Sequence, residues 1–384
     1  MIYLDNAATT RMHPEVLKAM IPYMTDEYGN AGTLYSFGRR SGNAIDNARS
    51  QVADLIGAPK DNIIFTSGGT EANNMAFKCV VSAIQARKKS KILTSCVEHH
   101  SVLRSSWQLD NIFSVDRVGV LESGKLDMED LTRKWNDDVG IVSVMFENNE
   151  LGCVNDVDVI GRYAKERGAL FHTDCVQAAG WHEIDVDKIG CDFLSLSSHK
   201  IHGPKGVGAL YVRDITLLEP LIIGGAMQER GCRGGTENVA GIVGFGKACE
   251  MAIDNYPKTK EACRLGHDFV NTLRKHWGDS GWRVHSEVGE SKIVSVGIDG
   301  VDAETLMMFL DAVGICVSAG SACRSREVEP SHVLKAIGLS DEEAMNTIRV
   351  SFSIMNTSDE VIQAAEKLVE SVEMIRDMKG AWCY

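Results

Sequence analysis

Phe193-Leu194-Ser195-Leu196-Ser197-Ser198-His199-Lys200-Ile201-His202-Gly203-Pro204-Lys205-Gly206 runs from an apolar stretch into a polar end. The apolar part is short and stops at a glycine-proline turn, so it reads as a buried strand presenting Lys200 at its carboxyl end. Taken alone, a lysine is more often solvated in a loop. An amine held among hydroxyl and imidazole groups can lose its charge and form a Schiff base, which suggests a covalently held cofactor.

Three further strand ends supply what such a cofactor needs. Ala169-Leu170-Phe171 leads into His172-Thr173-Asp174-Cys175-Val176-Gln177. An isolated aspartate there reads first as a helix N-cap. With Lys200 later in the chain, Asp174 reads instead as the carboxylate that keeps the ring nitrogen of pyridoxal phosphate protonated, and Gln177 as a group reaching the ring hydroxyl. Asn62-Ile63-Ile64-Phe65 leads into Thr66-Ser67-Gly68-Gly69-Thr70-Glu71. Gly69 lets backbone amides approach a phosphate, a helix starting near Glu71 points its positive end at that anion, and Thr70 adds a hydroxyl. The turn lacks the Lys-Ser/Thr ending of a nucleotide P-loop and the spacing of a dinucleotide fingerprint. Lys91-Ile92-Leu93-Thr94 leads into Ser95-Cys96-Val97-Glu98-His99-His100, where one imidazole can stack on a ring. Adjacent histidines project in different directions and no third ligand stands at helical spacing, so no metal is assigned to them or to His199 and His202.

From about residue 60 to 215 apolar strands alternate with amphipathic helices, the pattern of an α/β fold with a mostly parallel sheet covered on both faces. Strands are expected at Ile63-Phe65, Ile92-Thr94, Ile141-Met145, Leu170-His172, Phe193-Leu196 and Ala209-Val212. The candidate cofactor groups fall after strand ends, where such sheets build their sites. Beyond residue 258 the pattern changes to helices at 260–276 and 302–313, strands near 293–298 and 348–352, and a last helix near 358–376, a smaller α+β region.

The 384 residues are 44% hydrophobic and 24% charged, enough for two domains of a soluble globular chain. A net charge of −13 argues against direct nucleic-acid binding, which needs a basic surface. No apolar stretch is long enough to span a bilayer. The 11 cysteines are odd in number, form no Cys-x-x-Cys pair and follow no secretory segment, which points to the reducing cytoplasm. Cys323 lies in the small-residue stretch Ser318-Ala319-Gly320-Ser321-Ala322-Cys323, with Arg324 and Arg326 next to it to favour the thiolate. Most other cysteines read as small buried hydrophobes.

In chain order, Tyr3-Leu4-Asp5-Asn6-Ala7-Ala8-Thr9-Thr10, Ser67-Gly68-Gly69-Thr70-Glu71, Asn148-Asn149-Glu150, His172-Thr173-Asp174, Ser198-His199-Lys200 and Gly235-Thr236-Glu237-Asn238 resemble the motifs of the cysteine desulfurases, class V aminotransferases of fold type I that use pyridoxal phosphate. The resemblance runs from end to end. It implies a seven-stranded-type sheet in a large domain at 15–258 and a small α+β domain formed by 1–14 with 259–384, carrying the cysteine loop at about 318–330. It implies L-cysteine as substrate, L-alanine as co-product, Lys200 as proton carrier, His99 stacked on the ring, and Cys323 as the thiol that takes the sulfur as a persulfide. Ser197 and His199 match the phosphate contacts of the family, and Thr236 the threonine that reaches the phosphate from a partner subunit, which implies a homodimer. Arg349 matches the carboxylate-binding arginine, with Asn148 a second donor.

Some segments depart from the family pattern. Gly224-Gly225-Ala226-Met227-Gln228-Glu229-Arg230 replaces a glycine triplet before Gln-Glu-Arg, Gly29-Asn30-Ala31-Gly32-Thr33 replaces Asn-Pro-Ser-Ser, and Arg349-Val350-Ser351-Phe352-Ser353 lacks the usual Phe-Ser-Leu-Gly ending. The second of these resembles desulfurases that serve DNA phosphorothioation. An iron-sulfur scaffold, a tRNA-thiolation carrier and a DNA-modification partner all remain open as protein sulfur acceptors. Two other classes also remain: another class V enzyme, such as a selenocysteine lyase or aminotransferase, and a non-catalytic scaffold for sulfur transfer.

Overall fold

Neighbouring apolar residues of the central strands face opposite ways. Ile64, Ile92, Ile141 and Leu170 enter one buried cluster, while Phe65, Leu93, Val142 and Phe171 enter another. The two-residue period of a strand thus puts apolar surface on both faces of one sheet, and helices must cover each face. The computed structural model of the chain describes residues 1–225, 228–319 and 329–381.

Its strands, in chain order, are β1 (Ile2–Tyr3), β2 (Ile63–Thr66), β3 (Lys91–Ser95), β4 (Ser114–Val118), β5 (Val139–Ser143), β6 (Leu170–Asp174), β7 (Phe193–Ser197), β8 (Gly208–Val212), β9 (Trp282–Val284), β10 (Ile293–Ile298), β11 (Ile315–Cys316), β12 (Ser318–Ala319) and β13 (Thr347–Ser351). The 7-stranded sheet has the order β2-β8-β7-β6-β5-β3-β4. Its neighbours are parallel except where β8 runs against β2 and β7. The mostly parallel α/β sheet expected from the sequence is therefore present. Strand β4 was not among the expected strands. It is an edge strand of sequence Ser-Val-Asp-Arg-Val with mixed exposure, and Asp116 meets Lys91 of the adjacent strand at 2.8 Å. Charged edge residues discourage pairing with other chains, and they also remove the apolar signature that marks a strand.

The opposite edge, β2, is sealed from water instead. Arg49, on helix Ser36–Leu55, meets Glu229 through two hydrogen bonds of 2.7 and 2.8 Å, both side chains being almost fully buried. Arg49 also donates to the carbonyl of Ile63, and Glu229 accepts from the amide of Phe65 at 2.7 Å. The ion pair thereby satisfies the outward backbone groups that an edge strand leaves open. Helix Ser36–Leu55 packs tightly on helix Val239–Asp254, where a Cβ added at Gly246 would stand 2.6 Å from the Cα of Ala48.

The C-terminal part has its own core. Strands β12-β13-β10-β9 form a 4-stranded antiparallel sheet. Helices Tyr256–Trp277, Ala303–Ala312 and Ser358–Ala381 bury Phe269, Leu273, Leu306 and Leu368 in one cluster with Val294, Ile348 and Phe352. The start of the chain joins this core. Strand β1 pairs in parallel with β11, and Leu4 is fully buried in the same cluster.

Removing one partner of a buried ion pair leaves an uncompensated charge. Arg49→Met is expected to lower stability by about 3–5 kcal/mol, and Glu229→Gln added to it to recover part of that loss. Denaturant unfolding measures both; a loss well under about 1 kcal/mol for the single variant would show that the β2 edge is solvated after all.

Candidate active site

The carboxyl ends of β2, β3, β5, β6 and β7 open on one side of the sheet, and their following turns meet around a cleft. Gly69 and Thr70 open the helix after β2, His99 follows β3, Asp174 ends β6, and Ser197, His199 and Lys200 end β7. Gln177 and Arg349 complete the set. Apart from Arg349, which lies within β13, residues far apart in sequence thus converge because each ends or closely follows a buried strand.

The amine of Lys200 donates to the carbonyls of Ala7 and Ala8, at 2.5 and 2.7 Å. Burial lowers its pKa to about 7, helped by the positive charges of Arg349 and Lys292 and opposed by Asp5 and Asp174. A lysine in this state supplies a neutral, nucleophilic amine near neutral pH.

Asp174 is fixed from both sides. Its Oδ1 accepts from the Val176 amide at 2.9 Å and its Oδ2 from Asn73 Nδ2 at 2.7 Å, while Asn73 also reaches Ser101 Oγ at 2.8 Å. Asn73 lies one turn into helix Gly69–Lys78, so it lines the cleft together with Gly69. His99 is the N-cap of helix His100–Trp107, its Nδ1 accepting from the Ser101 amide at 3.2 Å. That bond leaves the proton of a neutral ring on Nε2. The residue is exposed to the cleft, yet the crowding walls push its pKa down, with Lys200 adding to the effect and Asp174 opposing it. His199 is pushed further, to about 4, by burial and then by Lys200, and its Nδ1 lies 3.1 Å from Thr9 Oγ1.

Several atoms at the cleft have no partner within the chain. Gln177 uses Nε2 on the carbonyl of Ala7 at 2.9 Å, but its Oε1 is buried and unpartnered, as are Asn73 Oδ1 and Arg349 Nε. Gly69 has no room for a side chain, because a Cβ there would stand 2.7 Å from Val176 Cγ2. A close backbone approach, open polar atoms, a fixed carboxylate and a neutral amine fit pyridoxal phosphate. The first turn of the helix and the Thr70 hydroxyl suit its phosphate. Among the described residues, no group of three or more His, Cys, Asp or Glu could hold a metal ion.

Two of the expected site residues stand elsewhere. Asn148 is fully buried and turned away: its Nδ2 donates to the carbonyl of Val97 at 3.0 Å, and its Oδ1 accepts from the amides of Glu150 and Leu151. It pins its own turn, and the neighbouring Asn149 lines the cleft in its place. Thr236 is exposed on a separate groove with Ser67, Gly206 and Arg233. Cys323, with Ala226 and Met227 of the altered glycine segment, lies outside the described residues.

Arg349 donates from Nη1 to the carbonyl of Asn149 at 2.7 Å and from Nη2 to Asp5 at 2.8 Å. These two bonds leave Nε and further N–H groups of the fork for a carboxylate. Asn73, Asn149 and the carbonyls of Ala7 and Ala8 were not singled out from the sequence. For Asn73 the spacing from Gly69 was the available signal.

Comparison with known proteins agrees with this chemistry. Residues 2–363 match the family model described as aminotransferase class-V. A curated relative, cysteine desulfurase IscS of Methanosarcina thermophila, is 42% identical over 98% of this chain and 93% of its own length. A solved NifS-like protein superposes with a TM-score of 0.89 at 34% identity, covering 97% of this chain and 99% of that one. A structure of SspA in complex with cysteine has a TM-score of 0.79 at 33% identity, over 92% and 99% of the two chains.

Without cofactor, the Lys200 amine is expected to react with a small aldehyde and borohydride with a midpoint near pH 7. Mass mapping of the labelled peptide across pH tests this; a midpoint near the ordinary lysine value of about 10.4 would mean that water solvates the amine.

Proposed function

We propose a division of labour within this cleft from one premise: the chain belongs to the class V aminotransferase family and is a pyridoxal-phosphate-dependent cysteine desulfurase. It takes sulfur from L-cysteine and leaves L-alanine. The observation that carries the assignment of roles is the Lys200 amine, buried, held by two carbonyls and lowered to a pKa of about 7 beside the fixed carboxylate of Asp174.

In this reading Lys200 would hold the cofactor covalently, Asp174 would partner its ring nitrogen, and Gln177 its ring hydroxyl. His99 would cover the ring, and Gly69, Thr70, Ser197 and His199 would hold the phosphate. Bound pyridoxal phosphate supplies an electron sink for the α-carbon of the amino acid. Arg349 grips the substrate carboxylate, with Asn149 beside it, and so fixes which bond at the α-carbon faces Lys200. Released when the amino group of L-cysteine takes its place, the neutral Lys200 amine would take the α-proton and hand a proton back. Cys323 attacks the substrate sulfur as a thiolate. The carbon-sulfur bond breaks as the sulfur-sulfur bond forms; its electron pair stays on carbon, which takes a proton and becomes the methyl group of alanine. The described residues on both sides of Cys323 support this role. Ser318 of β12 pairs with Arg349 of β13, and Ser331 donates to Glu150 Oε2 at 2.5 Å.

The wider assignments rest on the surface and on the thiols. Thr236 stands exposed, away from the cleft of its own chain, and Leu34, Tyr35 and Ile223 expose apolar surface. A homodimer in which Thr236 reaches the phosphate in the partner subunit's cleft accounts for both. All 9 described cysteines are free, and a reducing cytoplasm suits them. The persulfide passes to a protein acceptor, and the IscS name of the relative favours iron-sulfur assembly over the other routes.

Cys323→Ala is expected to keep the bound-cofactor absorbance and to lose turnover, while intact protein treated with L-cysteine gains one sulfur on Cys323 by mass spectrometry. Full alanine production by the variant would end the persulfide role. Sedimentation is expected to give a two-chain particle, and Thr236→Val to weaken cofactor retention about tenfold. A single-chain particle with unimpaired cofactor binding would remove Thr236 from the site.

A further inference from the structure

Beside the cleft, with Glu147 in its wall and Lys292 behind it, lies a group of buried ionisable residues that the reaction above does not use. Lys292 is 1% exposed, immediately before β10, and its Nζ donates to the carbonyl of Gln177 at 2.7 Å. The ammonium also stands 4.7 Å from the centre of the Trp181 ring. Glu147 is also fully buried, and its two oxygens meet Ser291 Oγ at 2.5 Å and His182 Nε2 at 3.1 Å. Burial alone would raise the Glu147 pKa, but the Lys292 charge and then the His182 and Ser291 contacts hold it below the ordinary value. Burial pushes Lys292 down to about 8, with Glu147 the foremost charge opposing that fall. Two unlike charges withdrawn from water at this cost require a reason in position.

The hydrogen bonds supply that reason. The carbonyl of Lys292 accepts from the Phe352 amide at 2.9 Å, and β10 pairs Ser295 with Arg349 of β13, so Lys292 belongs to the sheet that carries the substrate-binding arginine. Its ammonium ends on the turn that carries Asp174 and Gln177. Glu147 precedes Asn149, whose carbonyl receives Arg349, and Ser291 clasps Glu147 from the residue before Lys292. We infer that Lys292 and Glu147 form a positioning unit that locks the cofactor-binding turn onto the sheet holding Arg349, and so sets the distance between cofactor and substrate carboxylate. Neither residue touches the reacting atoms.

The same placement puts the Lys292 charge within electrostatic reach of Lys200, which Arg349, Asp5, Asp174, His99 and His199 also face. Loss of one positive neighbour favours protonation at Lys200, so its titration moves to higher pH.

Lys292→Met and Lys292→Met with Glu147→Gln, each as cofactor-loaded enzyme, test the unit. Loss of the clasp is expected to raise KM for L-cysteine about tenfold with kcat within about twofold when both are measured well above the Lys200 midpoint, since Arg349 is displaced while the chemistry at Lys200 persists. The pH midpoint of the bound cofactor's absorbance is expected to move upward. The single variant melts at lower temperature because Glu147 is left without its cation, and the double variant recovers the melting temperature but not KM. If the single variant does not fold, the double variant decides on KM and the absorbance midpoint. Wild-type values of both in a folded variant would overturn the proposal and leave the pair a matter of stability alone.

Discussion

The cleft depends on the two hydrogen bonds that carry the Lys200 ammonium to the carbonyls of Ala7 and Ala8. Carbonyl oxygens are dipoles without net charge, so they orient the amine and only partly replace the water it has lost. A carboxylate in their place would hold the proton and silence the amine. The nearest acids, Asp5 and Asp174, are instead engaged elsewhere, Asp5 with Arg349 and Asp174 with Asn73 and the Val176 amide. The sheet supplies the other half of the condition: β7 is buried along its whole length and carries Lys200 just beyond its end.

What was legible in the sequence follows from the same physics. Strands buried on both faces read as unbroken apolar runs, so β2, β3, β5, β6, β7 and β8 and the site groups after them were recognisable. Edge strand β4 was not, because Asp116 and Arg117 erase that signature. Choosing between Asn148 and Asn149 was beyond the sequence, since no period governs a turn and the fold decides which amide faces inward. Lys292 and Glu147 were invisible for another reason: charged residues are ordinarily solvated, and only the packing around Trp181 and Ser291 shows these two to be buried.

The two buried charge pairs serve different ends. Arg49 and Glu229 meet directly and close off the backbone of β2, an arrangement whose benefit is to the sheet. Lys292 and Glu147 spend their hydrogen bonds on other segments, and each contact reaches a stretch that carries a cleft residue or borders one. The first pair bears on folding, the second on geometry.

Residues 4–7 join the far end of the chain through a dense set of bonds: the Leu4 carbonyl accepts from the Ser351 amide at 2.7 Å, Asn6 Nδ2 reaches the Ser351 carbonyl at 2.9 Å, and the Ala7 amide reaches Ser351 Oγ at 2.9 Å. Residues 4–7 therefore pair with β13, the last of the described strands, some 345 residues further along the chain. The carbonyls that orient Lys200 are held from two sides, by Gln177 and His199 of the large sheet, which bond Ala7 and Thr10, and by the seam with Ser351. A chain cut short before β13 would own the cofactor groups without the Ser351 half of that seam and without Arg349.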